Sequence, residues 1–194
     1  MLLTTILSLS FLFGQVKTTP AKQPCQQVKI INRLVSWGHK TAVHQRKIEA
    51  IIIHSSYNAL TPDSFSVAGI LKEYTKYDVS PHYIIGRSGK IYRLVRDRDI
   101  AYQAGVSRLP DGITDVNAVS IGIEIVNTPH DPPTPAQYKS LASLVKCLDN
   151  RYQIKYVLGH KDIAPGRKTD PWMFDWKMFF RMIGRKDDRP APAQ

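Results

Sequence analysis

Five residues carry the chemistry this sequence can be expected to do. His160 and Asp170 bracket a loop whose Pro165 and Gly166, with Pro171 just beyond, argue against regular helix. Imidazole and carboxylate are both good metal ligands. His54, at the end of the apolar run Ile51-Ile52-Ile53, offers a third. Two His and one carboxylate with an open fourth position is the arrangement of a catalytic zinc, whereas structural zinc sites are closed and mostly Cys-rich. A lone His at the mouth of a strand is ordinarily a satisfied structural residue; the company of His160 and Asp170 favours a ligand. Lys168 stands two residues before Asp170, and in extended chain such positions project to one side. An ammonium and a carboxylate can therefore enter one cleft. Glu124 lies in the strand pattern Ser120-Ile121-Gly122-Ile123-Glu124-Ile125-Val126. Its alternation puts Ile121, Ile123 and Ile125 on one face and Gly122, Glu124 and Val126 on the other. A Glu there either reaches solvent from an edge strand, or sits in a cleft with a raised pKa suited to general-base work. Gly122 leaves room for something to approach.

The elements that must position these residues alternate between the two periods. Ala50 to His54 is β-branched and wholly apolar, as in a strand buried on both faces. Residues 28–35 read as an edge strand, and 80–85 and 90–95 as a hairpin about Gly86-Arg87-Ser88-Gly89. Residues 120–126 and 155–159 read as strands. Residues 63–77, 134–152 and 174–183 have helical spacing, the second opened by Thr134 and Pro135. Residues 97–112 form a long irregular segment suited to substrate contacts. His39 and His44 read as solvated, and His82 as a strand residue facing the core or a neighbouring loop.

Composition allows one domain of ordinary size: 194 residues, 43% hydrophobic and 22% charged. The 27 Lys and Arg exceed the 16 Asp and Glu, a formal +11 that favours polyanions such as an anionic wall polymer. No nucleic-acid module signature accompanies it, so nucleic acid is not expected as a partner. Residues 1–13 are apolar and, as a helix of about 20 Å, too short for a bilayer core of about 30 Å. They read as a secretory signal ending near residue 15, although no Lys or Arg precedes them. Residues 16–27 read as a linker, 28–184 as the domain and 185–194 as a disordered tail. Export implies a periplasmic or secreted protein; an uncleaved N-terminus would return it to the cytoplasm. No lipoprotein pattern precedes Cys25, so no stable membrane anchor is expected. Cys147 lies in a helical apolar pattern, where a buried free thiol is favoured over pairing with Cys25.

Longer motifs join these residues. They are Ile52-Ile53-His54, Val79-Ser80-Pro81-His82-Tyr83-Ile84-Ile85, Ala104-Gly105-Val106-Ser107, Asn117, the 120–124 strand, Thr134-Pro135-Ala136-Gln137 and the whole stretch from Gly159 to Pro171. On them the chain resembles zinc-dependent N-acetylmuramoyl-L-alanine amidases of the type-2 group, nearest the AmpD-like bacterial branch and related to phage lysozyme-type amidases and peptidoglycan recognition proteins. The resemblance implies an α/β fold, a mixed central β-sheet flanked by helices with Zn2+ in a surface groove. It implies His54, His160 and Asp170 as zinc ligands, Glu124 as the catalytic carboxylate and Lys168 as the oxyanion-stabilising residue. The implied reaction is hydrolysis of the amide between N-acetylmuramic acid and L-alanine in peptidoglycan or muropeptides; the sequence does not set the oligomeric state, for which a monomer is the expectation. The alternative is a module that binds peptidoglycan without cutting it; Asp170, retained here, favours catalysis. Relatives often carry His where this chain has Gln103 and Trp where it has Tyr102. The first reads as a change in substrate contacts, the second as a kept aromatic face for sugar or peptide. Arg87 and Asn117 are weaker candidates for the stem peptide, and for Arg87 a solvated hairpin residue is the competing reading.

Overall fold

A computed structural model describes residues 25, 28–187 and 189–190; the expected signal at 1–15 lies outside them. The strands are β1 Ile30–Asn32, β2 His39–Lys40, β3 Ala50–Ser56, β4 Tyr83–Ile85, β5 Ile91–Arg93, β6 Ile100–Ala101, β7 Ser120–Val126 and β8 Tyr156–Gly159. The helices are α1 Val67–Tyr77, α2 Val116–Val119, α3 Pro135–Tyr152, α4 His160–Ile163 and α5 Trp176–Ile183. Six strands form a mixed sheet in the order β1-β5-β4-β7-β3-β8, and β2 pairs with β6. This is the mixed sheet flanked by helices that was expected.

The centre of the sheet follows from β-branched residues that bury both faces. β3 lies parallel between β7 and β8, with Ile51, Ile52 and Ile53 fully buried. Odd-numbered residues of β3 and β7 face α3 and α5. There Ile51, Ile53, Ile121, Ile123 and Ile125 meet Leu141, Leu144, Trp176 and Phe179. Even-numbered residues face the other way. Ile52 packs with Leu109, Val116 and Leu158, while Val126 packs with Ile70, Leu71 and Ile84. Between these two smaller cores lie His54, Gly122 and Glu124. His54 and Glu124 stand toward the carboxyl ends of parallel strands, where open α/β sheets hold their ligands.

Several boundaries differ from the sequence reading, each for a local reason. α1 begins at Val67 because Ser66 caps it, accepting from Gly69 N–H, while Asp63 accepts from Phe65 N–H in a turn. One helical turn, α4, starts at His160, where none was expected; Ala164 and the loop at Pro165 and Gly166 end it. Cys147 is not a free thiol: it forms a disulfide with Cys25, their Cα atoms 5.0 Å apart. Its apolar helix face was read correctly as buried; the partner came from a segment 122 residues away in sequence. Where composition suggested a disordered tail, Arg185 donates to Ile154 O at 2.8 Å, and Arg189 lies 4.0 Å over the Trp176 ring. Among the described residues no helix is long and apolar enough to cross a membrane.

Candidate active site and metal centre

His54, His160 and Asp170 converge. β3 carries His54, and β8 leads directly into His160. The following loop returns Asp170, held by Lys161 N–H donating to Asp170 O at 2.9 Å. His160 Nδ1 lies 3.0 Å from His54 Nδ1 and 3.3 Å from Asp170 Oδ2. His54 Nδ1 is 3.4 Å from the same carboxylate oxygen. All three side chains are buried. The outer nitrogens face acceptors: His160 Nε2 lies 3.1 Å from Ala104 O, and His54 Nε2 meets Gln103 Oε1. An N–H must donate to a carbonyl, so both rings carry their proton on Nε2. Two Nδ1 lone pairs and a carboxylate oxygen then face one another with no proton between them. Such a cluster is repulsive by itself and is resolved by a cation; two imidazoles and one carboxylate suit zinc. Burial, with His160 alongside, holds the His54 pKa below its ordinary value and keeps the ring neutral, as a ligand must be.

Glu124 is paired in register with His54 across β7 and β3, so the two side chains share a face. Its Oε2 is buried without a protein partner. Tyr74 donates to Ser56 Oγ at 2.7 Å, and these two hydroxyls flank the carboxyl. Burial and then the Asp170 charge push the Glu124 pKa up to about 8, against opposing pulls from Ser56, Tyr74 and Lys168. Lys168 lines the same cleft of about 440 Å³, with Tyr102, Asn117 and Trp172.

The weaker candidates divide. Asn117 reaches the cleft, but its Oδ1 accepts from Gln103 N–H at 3.1 Å and Ala104 N–H at 2.9 Å, so it shapes the loop. Arg87 does not line the cleft. It lies 4.6 Å over Phe65 and donates to Pro132 O at 2.8 Å, because Thr134 at the head of α3 ties the β4–β5 turn there. His82 is buried, accepts from Gly122 N–H on Nδ1 and meets Arg46 through Nε2; burial and then Arg46 depress its pKa to about 3. Gln103, read in sequence as a change in substrate contacts, lines the cleft and turns its Oε1 to His54 Nε2. The flanking hydroxyls of Tyr74 and Ser56 went unnoticed in sequence, since Tyr74 also fits the apolar face of α1. Arg46 was missed too. It donates to the carbonyls of Ala118 and Asn117 at 3.1 and 3.2 Å, and to those of Asp99 and Ser120.

Comparison with known proteins agrees with this geometry. The family described as N-acetylmuramoyl-L-alanine amidase matches residues 44–172. The 1,6-anhydro-N-acetylmuramyl-L-alanine amidase AmpD of Enterobacter cloacae is 39% identical over 114 residues, which is 57% of this chain and 60% of that protein. A crystal structure of an AmpD derivative superposes with a TM-score of 0.69 at 28% identity, covering 83% of this chain and 98% of that one. The amidase AmiD from E. coli, in complex with the substrate anhydro-N-acetylmuramic acid-L-Ala-D-gamma-Glu-L-Lys, gives 0.63 at 30% identity, covering 75% and 61%. The match takes in both histidines, Glu124, Lys168 and Asp170 together with the strands that carry them, and the chain belongs to the N-acetylmuramoyl-L-alanine amidase family.

Proposed function

We propose that this protein is a zinc-dependent amidase. It cleaves the amide between the lactyl group of N-acetylmuramic acid and the L-alanine of the stem peptide, in muropeptides or in peptidoglycan. The observation that carries the reading is one cleft in which three unprotonated metal-ligand atoms face each other beside a carboxylate with an unpartnered buried oxygen. His54, His160 and Asp170 would hold the ion. When bound, zinc acidifies a water and polarises a carbonyl.

The chain's own residues supply the rest. Glu124 takes a proton from the attacking water and delivers it to the departing alanine nitrogen. Ser56 and Tyr74 fix that carboxyl. Lys168 brings positive charge to the substrate oxygen as the carbonyl becomes tetrahedral, a contribution whose loss costs about 10²–10³ in rate at comparable sites. Tyr102 and Trp172 present aromatic faces along the cleft to sugar or peptide. Residues 28–184 form the catalytic domain, and it acts as a monomer: the cleft is complete within one chain. The +11 charge suits an anionic wall polymer. Export to an oxidising compartment is supported by the Cys25–Cys147 disulfide and by the apolar segment at residues 1–13.

The test is product analysis on a defined anhydro-muramyl tripeptide, with and without chelator, alongside Glu124→Gln. Stem peptide with a free L-alanine amine should be released. Chelation should abolish the release, and the variant should slow it by about 10²–10⁴. Cleavage indifferent to both would sink the mechanism. Stoichiometric zinc with no cleavage of any muropeptide would make the protein a recognition module.

A further inference from the structure

Gln103 stands in a notch made for it. A Cβ on Gly122 would lie 2.6 Å from Gln103 Cγ and 2.8 Å from its Cδ, so only a glycine lets this side chain cross β7 toward His54. The direction of every proton in the chain it joins can be deduced. Val116 O can only accept, so Ser120 Oγ, 2.6 Å away, donates its hydrogen there. Ser120 Oγ must then accept from Gln103 Nε2 at 2.9 Å. That fixes which end of the amide is which and turns Oε1 to His54 Nε2. The ring nitrogen facing a carbonyl oxygen must carry the proton. The other nitrogen, Nδ1, is left as a bare lone pair directed at His160 and Asp170. The main chain anchors the same loop, since Asn117 Oδ1 accepts from Gln103 N–H and Ala104 N–H.

We propose that Gln103 is a positioning residue: it fixes His54 in the Nε2–H tautomer and sets the ring so that Nδ1 faces the metal position. Ala104 O does the same for His160 through the backbone, so adjacent residues of one loop orient both imidazoles. Gln103 need not touch substrate to matter. Its amide supplies the acceptor that a carboxylate or backbone carbonyl commonly gives to a metal-binding histidine. The proposal rests on the metal-centre reading above, but its first test does not require the metal.

The tautomer of His54 is read from imidazole 15N chemical shifts in the chelated protein, with His54→Gln assigning the signal. A proton on Nε2 is expected; a proton on Nδ1 overturns the proposal, and this measurement needs no substitution at 103. Zinc affinity, by competition with a chromogenic chelator, is then compared among native protein, Gln103→Leu and Gln103→Glu. Leu fills similar space without an acceptor and should weaken zinc binding about 10–100-fold, with His54 giving a mixed-tautomer signal. Glu keeps an oxygen toward the ring and should bind zinc at least as tightly as native. Native affinity in Gln103→Leu, or equal loss in both variants, would show that Gln103 only packs. Native protein that takes up no zinc would refute the metal centre instead, and the tautomer would still decide the role of Gln103.

Discussion

Glu124 keeps a carboxyl where its neutral form is favoured, and that has a measurable consequence in the metal-free protein. Its pKa is about 8 in the fold against 4.5 for an ordinary Glu. The native state holds this proton more tightly than the unfolded chain, so stability from this group is full below about 4.5 and falls as pH rises toward 8. His54 and His82 act oppositely. Both are held neutral below their ordinary 6.5, so they remove stability as pH falls through that value. Between 6.5 and 8 the slope of Glu124 stands clear of theirs, at up to about 1.4 kcal/mol per pH unit for one proton. Denaturant titrations across that window should show metal-free native protein losing stability, and Glu124→Gln should remove the slope. A slope unchanged in the variant would mean that Glu124 titrates normally. Much at this scale was legible in the sequence. A Glu inside an apolar alternation and a His ending an apolar run are conspicuous because burial makes them costly without a purpose. Gln103 was not legible in the same way: its meaning depends on Gly122, Ser120 and Val116 at once, and only the folded register brings them together.

Strands explain why the site needs no long reach. β3, β7 and β8 are parallel, with Ile53 opposite both Ile123 and Gly159, so the next residues, His54, Glu124 and His160, emerge side by side. That alignment is a property of register, which periodicity alone does not supply; periodicity gave β3, β7, β8 and the long helix α3. The four-residue α2 and α4 are too short to show a period. α3 is different, because its start is written locally. Thr134 accepts from Gln137 N–H at 3.1 Å, and Gln137 Oε1 accepts from Thr134 N–H at 2.9 Å. Gln137 also donates to Ile85 O and Val126 O, so the cap pins α3 to β4 and β7. Thr134→Ala should cost about 1 kcal/mol in chemical denaturation while leaving zinc affinity unchanged. A loss beyond about 2 kcal/mol would mean that the Thr134 bond to Arg87 O matters more than the cap.

Across the whole molecule, the Cys25–Cys147 bridge closes a loop of 122 residues that contains β1 to β7 and most of α3. Constraint of the unfolded chain on this scale is worth about 2–5 kcal/mol. Replacing both cysteines with serine should therefore lower the melting temperature by roughly 5–15 °C. Cleavage at 25 °C should be unaffected, because α3 and the cleft lie on opposite faces of the sheet. A double variant that melts like the native protein would show that the bridge constrains little. The opposite face is tied together by a half-buried cation. Arg46 gathers the carbonyls of Asp99, Asn117, Ala118 and Ser120 around one guanidinium. The segment before the cleft loop, α2 and the first residue of β7 thus share one clasp. In native-state hydrogen exchange these segments would open as a single cooperative unit, and the rim of the cleft would have no low-energy partial unfolding of its own. A protease would then find no foothold beside the cleft.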